Sequence, residues 1–371
     1  MNFESRVDQT IADAIAAERI VGAVTIVARD GEIIYRKAAG WFDREAGKPM
    51  FPEAIFRLAS VTKPLVAATA LAMIERNLLG LDNAVHDHLP WFRPKLQDGR
   101  QPKITIRQLL NHTSGLDYEP AEVPGLTSGL QATDMSLEEN FTLHAQTRPL
   151  AFEPGTAWAY GVGIDVLGAV IESIHGGRLA DAVAHYVTGP LGMTDTGFSV
   201  TDSERLAVAY ADGPPGLRRM GDPDTVVRPD GSTTTFSPSR IFNEKAFQSG
   251  GAGAVGTADD LLQFFEAIRN RGTPILKPET VAQAMQNQIG DLPQDEAFAG
   301  LRFGYLGAII TDPGAANRPQ APGSLRWGGV YGHEWWIDFT NGLTAVTFTN
   351  TPYEGCNGEY PRQVARAIYG A

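Results

Sequence analysis

The chain has 371 residues, 43% hydrophobic and 20% charged, the balance of a globular protein with room for two ordinary domains or one with an insertion. Asp plus Glu number 43 against 31 for Lys plus Arg, a formal charge of −12 with no basic cluster to reverse it locally, which argues against nucleic acid and membrane surfaces as partners. The one cysteine, Cys356, excludes an intrachain disulfide and every multi-cysteine zinc or iron–sulfur site. With no base near it in sequence, it reads as a thiol in a loop.

Residues 5–19 set Val7, Ile11 and Ile15, with Ala12 and Ala16, at helical spacing and predict an opening amphipathic helix. Glu4, Arg6, Asp8, Asp13, Glu18 and Arg19 interrupt any secretory apolar run, and the later run 64–74 stops at Glu75 and Arg76, too short to span a bilayer. The expected location is therefore the cytoplasm. Residues 22–28 and 32–36 flank Asp30-Gly31 and predict a hairpin. Five stretches then read as helices joined by loops: 65–74, 105–110, 137–144, 164–174 and 179–187. Residues 211–238, rich in Pro, Gly, Asp and Thr, read as a long surface excursion, and 259–269 as a further helix. A second hairpin, 335–339 and 343–349 around Asn341-Gly342, precedes a closing helix at 364–369.

Strands near both termini with helices between them predict an α/β chain of the α+β type. Its antiparallel sheet is flanked by helices and built from both chain ends, residues 1–58 and 235–371. A mainly helical domain, residues 59–234, is inserted, and the cleft between the two is the expected site.

Ser60-Val61-Thr62-Lys63 is the first candidate for chemistry. A serine hydroxyl needs a base within reach, and residues i and i+3 of a helix share a face about 5 Å apart. Pro64 suits the first turn of a helix starting there. By itself the tetrad is usually a helix cap followed by a solvated charge. Ser114 and Ser249 lie beside glycines without a lysine at i+3, and no G-x-S-x-G elbow is present. His86-Asp87-His88 runs into Leu89-Pro90 with no third ligand nearby and reads as a solvated loop, so neither metal nor cofactor is expected. His112 reads as a buried structural histidine, and His333 as a candidate for contact behind the site.

Phe56-Arg57-Leu58-Ala59-Ser60-Val61-Thr62-Lys63 closely resembles the active-site segment of the serine β-lactamase and penicillin-binding-protein superfamily. The segments 104–116, 152–160, 190–196 and 249–253 match that superfamily in kind and order, so the resemblance spans nearly the whole chain. It implies Ser60 as nucleophile, Lys63 as its partner and Tyr160 as the catalytic tyrosine. In the second motif, Tyr160-Gly161-Val162, valine stands where relatives often carry asparagine. The third motif corresponds to Trp327-Gly328-Gly329. The resemblance further implies an oxyanion hole from the backbone N–H groups of Ser60 and Val330, with Trp327, Gly328, Gly329 and Val162 against the substrate.

A W-G-G triad with a tyrosine but no asparagine is similar to the β-lactamase-like family VIII carboxylesterases. The implied activity is cleavage of short-chain carboxylic esters through an acyl-enzyme, with a small-molecule ester as partner. A β-lactamase or an acyltransferase of the same fold is the alternative, ahead of a silent scaffold or a penicillin-recognising protein. Arg302 and Arg326 are the residues whose charge, if it reached the cleft, would favour β-lactams.

Overall fold

The computed structural model describes residues 2–118, 123–228 and 231–371. Near the N-terminus, β1 (Gly22–Arg29) and β2 (Glu32–Asp43) form the expected hairpin, with Asp30 and Gly31 both at positive φ, 52° and 93°, as a tight two-residue turn requires. β2 runs seven residues beyond the expected Arg36 and pairs at its end with the short β3 (Lys48–Pro49), while β4 (Ile55–Arg57) leads toward Ser60.

From the middle of the chain come β5 (Tyr210–Ala211), β6 (Arg218–Arg219), β7 (Asp224–Val227), β8 (Thr233–Phe236) and β9 (Val255–Thr257). The C-terminal part adds β10 (Leu301–Phe303), β11 (Ala308–Ile310), β12 (Leu325–Gly329), β13 (His333–Asp338) and β14 (Leu343–Thr349). Eight of these strands form one antiparallel sheet, in the order β10-β11-β12-β13-β14-β1-β2-β3. The two chain ends meet at its centre, where β14 pairs with β1 and sets Val346 opposite Ile26.

One sheet face is covered by the opening helix Phe3–Ala16 and the closing helix Glu359–Tyr369. Val7, Ile11, Val364 and Ile368 pack there against Tyr35 and Trp336. The opening helix stops earlier than expected because the chain turns at Glu18, with φ 52°. The other face takes the helix Ala258–Arg269, whose Phe265 stacks on Trp335 with centroids 4.1 Å apart, a pair worth about 1 kcal/mol beyond its burial.

The helix Thr62–Glu75 is buried at every position from Thr62 to Met73, so it is a central helix with no wet face. Around it lie Ile106–Leu110, Leu137–Thr147 and Gly163–His175, close to the expected stretches. The helix expected over 179–187 is interrupted. It is regular only over Leu179–Val183, then widens into a π turn, Ala184–Thr188, where the Gly189 N–H reaches Ala184 O. The 211–238 excursion is also more ordered than its composition implied. β6 pairs with β5 and β7 with β8, and the inward residues Val226 and Phe236 join Tyr331 and Tyr353 in a small core of their own.

Candidate active site

Ser60 lies in a single 3-10 turn, Ala59–Val61, between β4 and the central helix. Ala59 holds φ 44°, a left-handed backbone that an alanine rarely adopts and that the surrounding packing must maintain. Lys63 is one turn further on and only 5% exposed. Its Nζ donates to Ser60 Oγ at 3.3 Å, to Tyr118 OH at 3.0 Å and to Gly251 O at 2.8 Å. It also lies 4.7 Å from the ring centroid of Tyr160 and 5.5 Å from that of Tyr118. Three oxygens and two aromatic faces thus compensate an ammonium withdrawn from water. Burial pushes the Lys63 pKa down, but the phenol oxygens of Tyr118 and Tyr160 and the Asp165 carboxylate outweigh it and hold it raised. Burial pushes the Tyr118 phenol up, against the opposing pull of Lys63.

Tyr118 has no place in the sequence reading, yet its hydroxyl accepts from Lys63 at the centre of this group. It follows the 104–116 segment by two residues. What brings it in is the approach of residues 116–118 to Gly161, where a Cβ would collide with Leu116 O. The small residue after Tyr160 therefore lets two tyrosines share the lysine, with their rings 5.5 Å apart. No local pattern in residues 104–118 encodes that contact.

Tyr160 accepts from Trp327 Nε1 at 3.1 Å, with ring centroids 4.9 Å apart. Trp327 extends an aromatic wall through Phe298 and Phe303. Gly328 and Gly329 prove to be needed by the fold itself. A Cβ on Gly328 would sit 2.5 Å from His333 O and 3.0 Å from Cys356 Sγ, and one on Gly329 would collide with Leu58 O. Bare backbone there lets β12 end against the Ala59–Val61 turn, with Val330 half-buried just beyond it. Val162 is 4% exposed and packs in the main core.

Other candidates find structural partners. The Ser249 hydroxyl donates to Asp165 Oδ1, and the Gly251 N–H donates to the same oxygen at 3.1 Å. Asp165 thereby fixes the turn whose carbonyl holds Lys63. Ser114 is 1% exposed and accepts from the Leu116 N–H at 3.4 Å. His333 donates from Nε2 to Arg57 O at 2.7 Å, tying β13 to the strand that leads into Ser60. Arg326 is held by the buried Glu334, with Nε and Nη2 at 3.0 and 2.6 Å from Oε1. Arg302 donates to Gln294 Oε1 at 2.9 Å, from a strand whose flanking Leu301 and Phe303 face the aromatic wall. His86 and His88 sit on the short helix Val85–His88, and no metal-binding group of three His, Cys, Asp or Glu occurs among the described residues. Cys356 is not in a loop. It ends the helix Pro352–Cys356, and burial pushes its thiol up to about 12.

A family model described as Beta-lactamase matches residues 7–368. Esterase EstB of Burkholderia gladioli is 46% identical over 377 residues, covering 99% of this chain and 95% of that protein. Monacolin J acid methylbutanoyltransferase of Aspergillus terreus is 28% identical, covering 90% of this chain and 87% of that protein. A solved structure titled "EstCE1, a hydrolase with promiscuous acyltransferase activity" superposes with a TM-score of 0.93 at 43% identity, covering 99% of this chain and 98% of that chain.

Three buried histidines give the fold a pH dependence. Burial, helped by Lys63, holds His112 down to about 3, while burial holds His144 and His333 at about 4. An unfolded imidazole binds its proton near pH 6.5. Their contribution is complete above that value and is lost as pH falls toward 4, at about 1.4 kcal/mol per pH unit for each histidine. Urea unfolding at pH 7, 6 and 5 is expected to show a steep loss of stability, shallower by one histidine's share in His144→Leu. Equal stability at pH 7 and 5 would contradict this.

Proposed function

The chain belongs to the beta-lactamase family, and on that premise we propose that it is a serine ester hydrolase acting on short-chain carboxylic esters. The observation that carries the proposal is the Lys63 ammonium, shared between Ser60 Oγ at 3.3 Å and Tyr118 OH at 3.0 Å beside Tyr160. Ser60 Oγ attacks the ester carbonyl and forms an acyl-enzyme. Tyr160 takes its proton and delivers it to the leaving alcohol, while Lys63 stays an ammonium that stabilises the charge developing on the Ser60 and Tyr160 oxygens. Water then attacks the acyl-enzyme, gives up a proton along the same path and releases the carboxylic acid. The backbone N–H groups of Ser60 and Val330 are the proposed oxyanion hole.

Two features favour neutral esters over β-lactams. Trp327 and Phe303 present an apolar wall beside Tyr160, and Val162 supplies no amide. Arg326 and Arg302 are engaged by Glu334 and Gln294, which leaves a β-lactam carboxylate without the partner those arginines would have provided. Acyl transfer to an alcohol is the second reading, favoured by the similarity to EstCE1, a hydrolase with promiscuous acyltransferase activity, and to the methylbutanoyltransferase of Aspergillus terreus.

The proposal keeps the division of the chain into residues 1–58 with 235–371 and residues 59–234, supported by the sheet strands drawn from the outer segments and the helices around Thr62–Glu75 drawn from the inner one. No described helix is long and apolar enough to cross a membrane, and a cytoplasmic location remains part of the proposal.

Side-by-side kinetics on p-nitrophenyl butyrate and nitrocefin test the substrate class: the ester is expected to have the higher kcat/KM, and faster nitrocefin turnover would make this a β-lactamase. Lys63→Ala and Tyr160→Phe should each slow acylation by about two to four orders of magnitude, with a combined loss far from additive because one proton path is removed. Near-normal acylation in Tyr160→Phe would reduce that tyrosine to packing.

A further inference from the structure

A cavity of about 220 Å³ lies behind the wall of the active site. Ser60, Lys63, Tyr118, Tyr160 and Trp327 do not line it. Its lining includes Arg57, Arg178, Ser237, Arg240, Glu244 and Tyr331. Tyr331 follows Val330 directly, and two further lining residues, Ala252 and Gly253, follow Gly251, so the cavity shares its walls with the catalytic group.

Its charge is unusual for so acidic a chain. Arg240 is 9% exposed and donates to two main-chain carbonyls, Gln131 O at 2.8 Å and Phe247 O at 2.7 Å. Arg57 donates to Pro238 O at 2.8 Å and Ala207 O at 3.0 Å. Arg178, at the exposed rim, reaches Glu244 O at 3.4 Å. A guanidinium has five N–H donors, so these bonds use less than half of what Arg57 and Arg240 offer. Among the described residues none of the three arginines forms an ion pair. Burial pushes Arg240 down to about 10, offset only in part by Asp165 and Tyr331, and its guanidinium carbon lies 4.6 Å from the centroid of the Phe247 ring. Asp222 acts on Arg57 and Asp165 on Arg240 only from a distance, and the Glu244 side chain is exposed.

A second observation points the same way. Ser237 is 2% exposed, and its Oγ has no hydrogen-bond partner. A buried hydroxyl left unpaired costs about 1–3 kcal/mol, which an incoming acceptor removes. Phe198 and Ile241 add an apolar side to the cavity. Planar guanidinium donors suit the two oxygens of a carboxylate, and the apolar side suits a short hydrocarbon tail.

We propose that this cavity is a second, non-catalytic site that binds a short-chain aliphatic carboxylate anion. It rests on the cavity's own groups and stands whether or not the chain hydrolyses esters.

Calorimetric titration of the full chain with sodium butyrate tests it, with butyramide as the neutral isostere. Butyrate is expected to bind about tenfold more tightly than butyramide or better. Arg178→Gln, an exposed change that should leave ester turnover intact, and Ser237→Ala should each weaken butyrate by about threefold, and Arg240→Lys by more. Trp327→Ala should leave butyrate affinity unchanged. Should Arg240→Lys fail to fold, the other two cavity variants still decide the matter. Absent butyrate binding, equal affinity for butyramide, or equal affinity for sulfate would overturn the proposal. So would an affinity that falls with Trp327→Ala but not with the cavity variants, since butyrate would then occupy the catalytic cleft.

Discussion

A lysine ammonium that is almost wholly withdrawn from solvent has to be surrounded by oxygen, and Lys63 collects its partners from one neighbouring and two distant parts of the chain. Ser60 comes from the turn just before its own helix, Tyr118 from the loop after the helix Ile106–Leu110, and Gly251 O from a turn near β9. Each partner is itself fixed. Gly251 is held through its N–H by Asp165, which also takes the Ser249 hydroxyl. Tyr118 can approach only because Gly161 has no side chain. The positive φ of Ala59 turns the chain so that Ser60 faces the lysine. Removing any one support would leave a buried charge short of compensation, so the arrangement is over-determined in the way a strained catalytic turn needs.

The sheet supplies the opposite wall. Because β14 and β1 join the two chain ends at its centre, β12 is carried by a rigid antiparallel frame rather than by a loop. Its two glycines let the strand end against the Ser60 turn, and Trp327 just before them reaches Tyr160. On the other side of β12, Arg326 and Arg318 lie within 2.6 and 3.3 Å of the buried Glu334. A strand that alternates between an aromatic on the site and an arginine in an internal ion pair has little freedom to shift register.

Local signals in the sequence carried much of this. Asp30-Gly31 marks a tight hairpin because few other residues accept that left-handed backbone, Gly342 at φ 63° closes the four-residue turn of the second hairpin, and the strands on either side follow. The i, i+3 spacing of Ser60 and Lys63 is likewise a property of four adjacent residues. Contacts made across the fold left no such trace. Asp165 sits in an apolar helical stretch and Ser249 in a glycine-rich turn, and only folding joins them. Tyr118 is one aromatic among many until Gly161 admits it. The π turn at Ala184–Thr188 and the ribbons within 211–238 depend on hydrogen bonds that composition does not report. Cys356 looked like a loop thiol because its burial comes from β12, far away in sequence.

The charge on Lys63 is what the arrangement is built to hold, and it is directly measurable. Selective ¹³Cε-lysine labelling, with Lys63→Arg used to assign the signal, would follow its ammonium by NMR across pH 6 to 11. Retention of the charged-form shift to the top of that range, after the exposed lysines have begun to titrate, is the result expected from a raised pKa. A Lys63 midpoint below pH 8 would show that burial prevails over Tyr118, Tyr160 and Asp165, and would contradict the account.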